Sequence, residues 1–92
     1  MPNSAVRVVV SGQVHGVGFR AHAAERAREL GLRGYVRNVE DGTVESVAAG
    51  PAGAVEAFLA ALRSGPPAAR VSDLSVEARA PETVTEADFR VR

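Results

Sequence analysis

A glycine-rich stretch followed by an arginine is the first feature of the sequence that could do chemistry. Gly12-Gln13-Val14-His15-Gly16-Val17-Gly18 contains three glycines, and Phe19-Arg20 follows where a helical pattern begins. A loop of this kind can turn several backbone N–H groups towards one anion, and the helix N-terminus adds a partial positive charge. A guanidinium at the junction could add two hydrogen bonds to phosphate oxygens. The stretch therefore predicts an anion-binding site.

The residue types narrow the chemistry that this site could support. All 11 basic residues are Arg, which excludes a lysine-dependent phosphate loop and a Schiff-base mechanism. The absence of Cys excludes disulfides, thiolate catalysis and cysteine-based metal sites. His15 and His22 are the only histidines, and no carboxylate accompanies them at ligand spacing. We predict no metal and no cofactor, and interpret His15 as a loop residue and His22 as a helix-surface residue.

Length and charge limit the class of protein. A chain of 92 residues is long enough for one compact domain, 1–92, and too short for two. Its 11 acidic and 11 basic residues balance, so no global field attracts it to nucleic acid or to an anionic membrane. No run approaches the roughly 20 apolar residues of a membrane span, and the start at Met1-Pro2-Asn3 shows no signal-peptide pattern. We expect a cytoplasmic monomer that acts on a small molecule.

Hydrophobic periodicity predicts the elements that hold the loop in place. Alternating valines at 6, 8 and 10 indicate a first strand, residues 12–18 a loop, and helix formers from about 21 to 30 a first helix closed by Gly31. A second strand is expected over 32–39, with an Asp41-Gly42 turn leading to a third strand that ends near Ala49.

The second half of the chain is predicted to contain one helix and two strands. Gly50-Pro51 starts a second helix, with Pro51 in its first turn, and Gly65 ends it. Strands are expected over 74–79 and 89–92. The second helix carries one apolar stripe, formed by Val55, Phe58, Leu59 and Leu62.

The order of these elements predicts the fold class. It is β-α-β-β-α-β with an extra terminal strand, and two helices with one apolar stripe each must cover one face of a sheet. We predict an α+β, ferredoxin-like split β-α-β sandwich, with two helices on one face of an antiparallel sheet. Because this fold carries many unrelated functions, the function has to be inferred from the loop.

Two stretches resemble the signatures of the acylphosphatase family. Residues 12–20 resemble the first signature, in which a glycine, a valine and a Gly-Val pair precede Phe-Arg. Gly31-Leu32-Arg33-Gly34-Tyr35-Val36-Arg37-Asn38, followed by Asp41-Gly42-Thr43-Val44-Glu45, resembles the second. The Gly50-Pro51 helix start and the Phe89-Arg90-Val91 strand also fit, so the resemblance covers essentially the whole chain.

The resemblance implies an enzyme that hydrolyses acyl phosphates, with inorganic phosphate as product and competitor. Arg20 would bind the phosphate and Asn38 would orient the attacking water. Loop amides would complete the phosphate cradle, contributed by His15, Gly16, Val17, Gly18 and Phe19.

Three positions depart from the family's commonest pattern. His15 stands where Gln is usual, Tyr35 replaces a Trp, and Val39 occupies a position where a hydroxyl residue is frequent. Val39 removes a possible hydrogen bond near the water, and we expect it to affect the rate. None of the three departures removes a group to which the resemblance assigns a catalytic role.

Acyl phosphate chemistry suits so small a set of groups. The leaving group is a carboxylate, which departs without being protonated, so the reaction needs no general acid. Phosphoryl transfer chiefly needs positioning and charge stabilisation. The side-chain amide of Asn38 can hold a water but cannot take its proton at neutral pH, so the substrate phosphate or bulk water must do so.

Other interpretations remain open from the residues alone. Arg20 could be a solvated helix residue, and Asn38 could satisfy backbone groups beside the turn. The main alternative function is a phosphate- or ligand-binding module without catalysis; a domain detached from a larger maturation enzyme is another, against which the short length argues. An RNA-binding module would need aromatic residues on its first and third strands, and a metal chaperone would need a pair of cysteines; the sequence has neither.

Overall fold

The computed structural model describes residues 3–92. Met1 and Pro2, which the sequence analysis examined for a signal-peptide pattern, lie outside the described residues. A short 3-10 helix, Pro81–Thr83, precedes the last strand. The other elements, in chain order, are β1 (Asn3–Gln13), α1 (Phe19–Glu29), β2 (Arg33–Asn38), β3 (Val44–Pro51), α2 (Ala52–Ser64), β4 (Arg70–Arg79) and β5 (Phe89–Val91). The predicted element order and the ferredoxin-like fold class are confirmed.

Five strands form one sheet in the order β4-β1-β3-β2-β5. The first four pair antiparallel, whereas β5 pairs parallel with β2, with Tyr35 opposite Arg90. The sheet is therefore mixed, and the expectation of an antiparallel sheet holds only for β1 to β4. The reason lies in residues 80–88, which carry the chain from the β4 edge to the opposite edge and let β5 run in the direction of β2.

Both helices pack on one face of the sheet. Helix α1 lies over β2 and β5, and α2 lies over β1, β3 and β4. The predicted stripe of α2 is buried, and the Phe58 and Phe89 rings meet edge to face with centroids 5.7 Å apart. On the other face the chain after the 3-10 helix places Val84 against Ala5, Val47 and Ala49. Burial on both faces fixes the register of the central strands, because a shift by one residue would exchange the two sets of side chains.

Several boundaries differ from the prediction, for identifiable reasons. Gly12 and Gln13 were expected in the loop but belong to β1, because a bulge at Ser11/Gly12 lets pairing with β4 continue. Helix α1 begins at Phe19, earlier than expected, because Gly18 takes the left-handed conformation at its N-cap. Pro51 is the N-cap of α2 and does not lie in its first turn.

Gly34 in β2 offers a test of how tightly the central strands are packed. Its φ is +139°, and a Cβ added there would lie 1.9 Å from the carbonyl oxygen of Val47. We expect Gly34→Ala to lower the free energy of unfolding by roughly 3 kcal/mol, because the clash is with backbone. Gly53→Ala in α2 is the control: an added Cβ meets nothing within 4 Å, and Ala favours the helix. Urea unfolding of both variants measures the difference, and equal stabilities would contradict the packing described.

Candidate active site

The sheet topology brings the predicted site residues to one end of the molecule. Strand β3 runs antiparallel to both β1 and β2, and β5 runs parallel to β2. The C-terminal ends of strands β1, β2 and β5 therefore all lie at the same end of the sheet. The glycine loop follows β1, Asn38 is the last residue of β2, and Arg92 follows β5. Residues far apart in sequence are in this way placed around one cavity.

The cavity has a volume of about 280 Å³ and is open on one side. Its wall contains five of the seven predicted site residues together with three apolar residues that were not assigned to the site. The lining residues are Val14, Gly16, Gly18, Phe19, Arg20, Ala21, Asn38 and Val91. Arg20 and Asn38, the two predicted catalytic residues, thus share one cavity.

Two glycines give the loop its shape. Gly16 and Gly18 have φ values of +70° and +78°, in the left-handed region that favours glycine. The N–H of His22 donates to the carbonyl of Gly18 at 3.0 Å, so the N–H groups of residues 19–21 precede the first hydrogen bond of the helix. Free N–H groups beside a glycine loop and a helix N-terminus form a suitable environment for an anion.

Arg20 is held by the end of the sheet. Its Nη1 donates to the main-chain oxygen of Arg92 at 3.0 Å. Arg92 is itself fixed, since its N–H donates to Val36 at 2.9 Å and its guanidinium lies over the Tyr35 ring, 3.9 Å from the centroid. Among residues 3–92, Arg20 is the one cationic side chain that lines the cavity, and one bond to Arg92 leaves most of its five donors free.

Asn38 has an unsatisfied acceptor. Its Oδ1 is buried and has no hydrogen-bond partner among the described residues. Such a group is costly unless water or a ligand satisfies it. The next residue is Val39, at the position where a hydroxyl residue is frequent in the family, and its side chain cannot donate a hydrogen bond to this oxygen. The carbonyl of the Asn38 side chain can therefore accept a hydrogen bond from a water molecule.

The turn after Asn38 is tightly organised. The N–H of Val39 donates to the carbonyl of Thr43 at 2.9 Å, and the N–H of Gly42 donates to the carbonyl of Val39 at 3.0 Å. Asp41 Oδ1 accepts from the Thr43 hydroxyl at 2.6 Å and from the Thr43 N–H at 3.0 Å. These two bonds are the main reason why the pKa of Asp41 is lowered.

Two predicted cradle residues, His15 and Val17, do not line the cavity. His15 is exposed, and its ring reaches the turn, with Nε2 2.8 Å from the carbonyl oxygen of Thr43. Val17 packs partly against the core. The interpretation of His22 as a surface residue is wrong: the residue is half-buried, and its Nε2 has no hydrogen-bond partner among residues 3–92.

An ion-pair network lies on the sheet face opposite the helices. Glu45 is only 5% exposed and accepts from Arg7 at 2.7 Å, from Arg37 at 2.6 Å and from the Tyr35 hydroxyl at 3.0 Å. Burial raises the pKa of Glu45, but the bonds from Arg37, Arg7 and Tyr35 outweigh it and hold the pKa below its usual range. Burial, with Glu45 next to it, raises the pKa of Tyr35. The network joins β1, β2 and β3 on the face opposite the helices.

Three apolar lining residues were missed by sequence reasoning. Val14 lies inside the glycine-rich stretch, and Val91 lies in the predicted last strand, but neither has a residue type that indicates a site. Ala21 follows Arg20 in α1. The contact between Arg20 and Arg92 spans 72 positions, and no local pattern in the sequence indicates it.

The fold and the cavity together define a ferredoxin-like domain with an anion-binding loop, and comparison with known proteins identifies its family. The acylphosphatase family model matches residues 6–91. The acylphosphatase of Syntrophotalea carbinolica is 51% identical over 87 residues, which cover 95% of this chain and 94% of the relative. The chain therefore belongs to the acylphosphatase family, as its two signature-like stretches predicted.

Solved structures agree with this assignment. An acylphosphatase from Coxiella burnetii superposes with a TM-score of 0.91 at 40% identity and covers 98% of this chain and 93% of its own. HypF from T. kodakarensis matches 97% of this chain with a TM-score of 0.82 at 33% identity, but over only 12% of its own length. The same domain architecture thus also occurs as a small part of a larger protein. Within residues 3–92, neither α1 nor α2 has the length and hydrophobicity that a membrane-spanning helix requires.

Proposed function

We propose that this protein hydrolyses acyl phosphates to a carboxylate and inorganic phosphate, with Arg20 and loop amides holding the phosphate and Asn38 orienting the water. One observation carries the proposal: Arg20 and Asn38, whose buried Oδ1 has no hydrogen-bond partner among residues 3–92, line the same cavity beside the glycine loop. The first supplies positive charge and the second accepts a hydrogen bond from water. The relatives named acylphosphatase support the same reaction.

The phosphate is bound by charge and by backbone. A dianionic phosphoryl group placed at the loop accepts hydrogen bonds from the backbone N–H groups of Gly16, Gly18 and Phe19 and from the remaining guanidinium donors of Arg20. The amides of His15 and Val17 belong to the same loop and complete the proposed cradle. The same groups stabilise the charge that spreads over the equatorial oxygens in the transition state. They replace bound metal ions in this scheme, so we propose that no metal or other cofactor takes part.

The reaction needs only one oriented water. Asn38 Oδ1 accepts one O–H of the water, which directs a lone pair of the water oxygen at phosphorus. The new P–O bond forms as the bond to the acyl oxygen breaks, and the electron pair leaves with the carboxylate. The proton of the water passes to a phosphate oxygen or to bulk water, because an amide does not accept it at neutral pH.

The wider setting follows from charge and size. A formal net charge of zero gives no global attraction to nucleic acid or to a membrane surface. We propose a single-domain cytoplasmic monomer whose partners are the acyl phosphate and inorganic phosphate. The alternative function is a binding module that holds phosphate but catalyses nothing, and turnover separates the two.

Hydrolysis in the presence of a chelator tests the proposed reaction. Purified protein mixed with an aryl acyl phosphate should consume it at the same rate with and without excess chelator, because Arg20 and amides do the work of a metal. Loss of the substrate is followed optically against a protein-free control. Activity that disappears with chelator and returns with a divalent ion contradicts the scheme, and binding without turnover supports the alternative module.

Replacing Arg20 tests the phosphate cradle. Arg20→Gln removes the cationic side chain of the cavity, so kcat/KM should fall by roughly a hundredfold or more, and inorganic phosphate should no longer bind measurably in calorimetry. Arg26→Gln is the matched control: it lies on the same helix, but its side chain pairs with Glu29 on the surface, and we expect parent-like values. Parent-like phosphate binding in Arg20→Gln would disprove the assignment.

Replacing Asn38 tests the role of water. Removing an interaction that acts mainly in the transition state lowers kcat more than it weakens ground-state binding. Asn38→Ala should therefore lower kcat by about a hundredfold and leave the inhibition constant of phosphate nearly unchanged. Urea unfolding is measured on the same variant, because Asn38 also ends β2. An unstable variant, or a folded and fully active one, would remove Asn38 from the mechanism.

A further inference from the structure

The side chain of His15 joins the two halves of the candidate site. Its Nε2 lies 2.8 Å from the carbonyl oxygen of Thr43, 28 residues along the chain. Because a carbonyl oxygen can only accept, Nε2 must carry the proton in this contact. Among the described residues, this is the one hydrogen bond formed between the loop, residues 14–18, and the turn, residues 39–43.

The oxygen to which His15 binds also holds the residue after Asn38. The carbonyl of Thr43 accepts the N–H of Val39 at 2.9 Å, and a carbonyl has two lone pairs to serve two donors. His15, Thr43 and Val39 thus form a short connection that ends at the residue next to Asn38. Asp41 makes the far side of the turn rigid through its two bonds to Thr43.

Asn38 depends on its backbone for its position. The Oδ1 of Asn38 has no protein partner among residues 3–92, and Val39 provides no hydroxyl that could hold the side-chain amide. Pairing with Val44 of β3 holds the backbone of Asn38 on one side, and the turn that follows Asn38 is the part of the chain that contacts the phosphate loop. The hydrogen bond from His15 is positioned to hold this turn, and with it the end of β2, against the phosphate loop.

We propose that His15 is a positioning residue, which holds the turn after Asn38 against the phosphate loop and so keeps the attacking water in line with the bound phosphate. The proposal rests on the hydrolytic function and water-orienting role proposed above. It gives the His15 side chain a task separate from that of its backbone amide. In this role an exposed side chain outside the cavity wall acts on the reaction indirectly, since small displacements of a positioned group cost large factors in rate.

The experiment compares variants with and without a donor at position 15. His15→Ala and the ring-containing His15→Phe lack the donor, whereas His15→Gln carries an amide N–H₂ on a side chain of similar reach. We expect kcat to fall about tenfold in the first two variants, the inhibition constant of phosphate to stay within about twofold, and Gln to restore most of kcat. The midpoint of urea unfolding should change little, because the bond is exposed.

A structural measurement keeps this inference separate from the function on which it rests. The amide resonance of Val39 should shift in His15→Ala and His15→Phe and return in His15→Gln, because Val39 shares its acceptor with His15. If the parent protein does not hydrolyse acyl phosphates, the proposed function fails whatever this resonance does. If the parent is active, a parent-like kcat in both donor-free variants overturns the inference. Equal losses of kcat and phosphate binding, or lost stability at unchanged kcat, also overturn it.

Discussion

The antiparallel placement of β3 between β1 and β2 is the constraint on which the site depends. Because each pairing with β3 reverses the strand direction, β1 and β2 run in the same direction, and their C-terminal ends lie at the same end of the sheet. The loop with Arg20 and the turn after Asn38 must then face each other. A change of register by one residue would move Asn38 to the other face of the sheet, so the burial of β3 on both faces supports the geometry of the site directly.

Among residues 3–92, charge is distributed so that Arg20 is the one cationic side chain lining the cavity. On the sheet face opposite the helices, Arg7 and Arg37 form ion pairs with Glu45, and these contacts join the three central strands. Arg20 instead donates to the main-chain oxygen of Arg92, which orients the guanidinium. A chain with no net charge can in this way still bind an anion, because the positive charge is concentrated locally at the cavity.

Local patterns predicted much of this arrangement, and long-range contacts account for what they missed. The apolar stripe of α2 and the glycine turn at Gly42 follow from spacing and from backbone preference, and the structure confirms both. The parallel direction of β5 depends on the path of residues 80–88 across the sheet, which no periodicity encodes. The end of β1 was misjudged because a bulge at Gly12 keeps its pairing with β4. The anchoring of Arg20 by Arg92 and the reach of His15 to Thr43 are also set by tertiary structure.

Hydrolysis in water labelled with a heavy oxygen isotope tests the central claim most directly, because it reports which atom the water attacks. The proposed mechanism, in which Arg20 holds the phosphate and Asn38 orients the water, places the water on phosphorus. The label should therefore appear in inorganic phosphate, with none in the carboxylate, after a single turnover with protein in excess over an aryl acyl phosphate. Mass spectrometry of both products gives the answer. Label in the carboxylate would mean attack at the acyl carbon and would contradict the account.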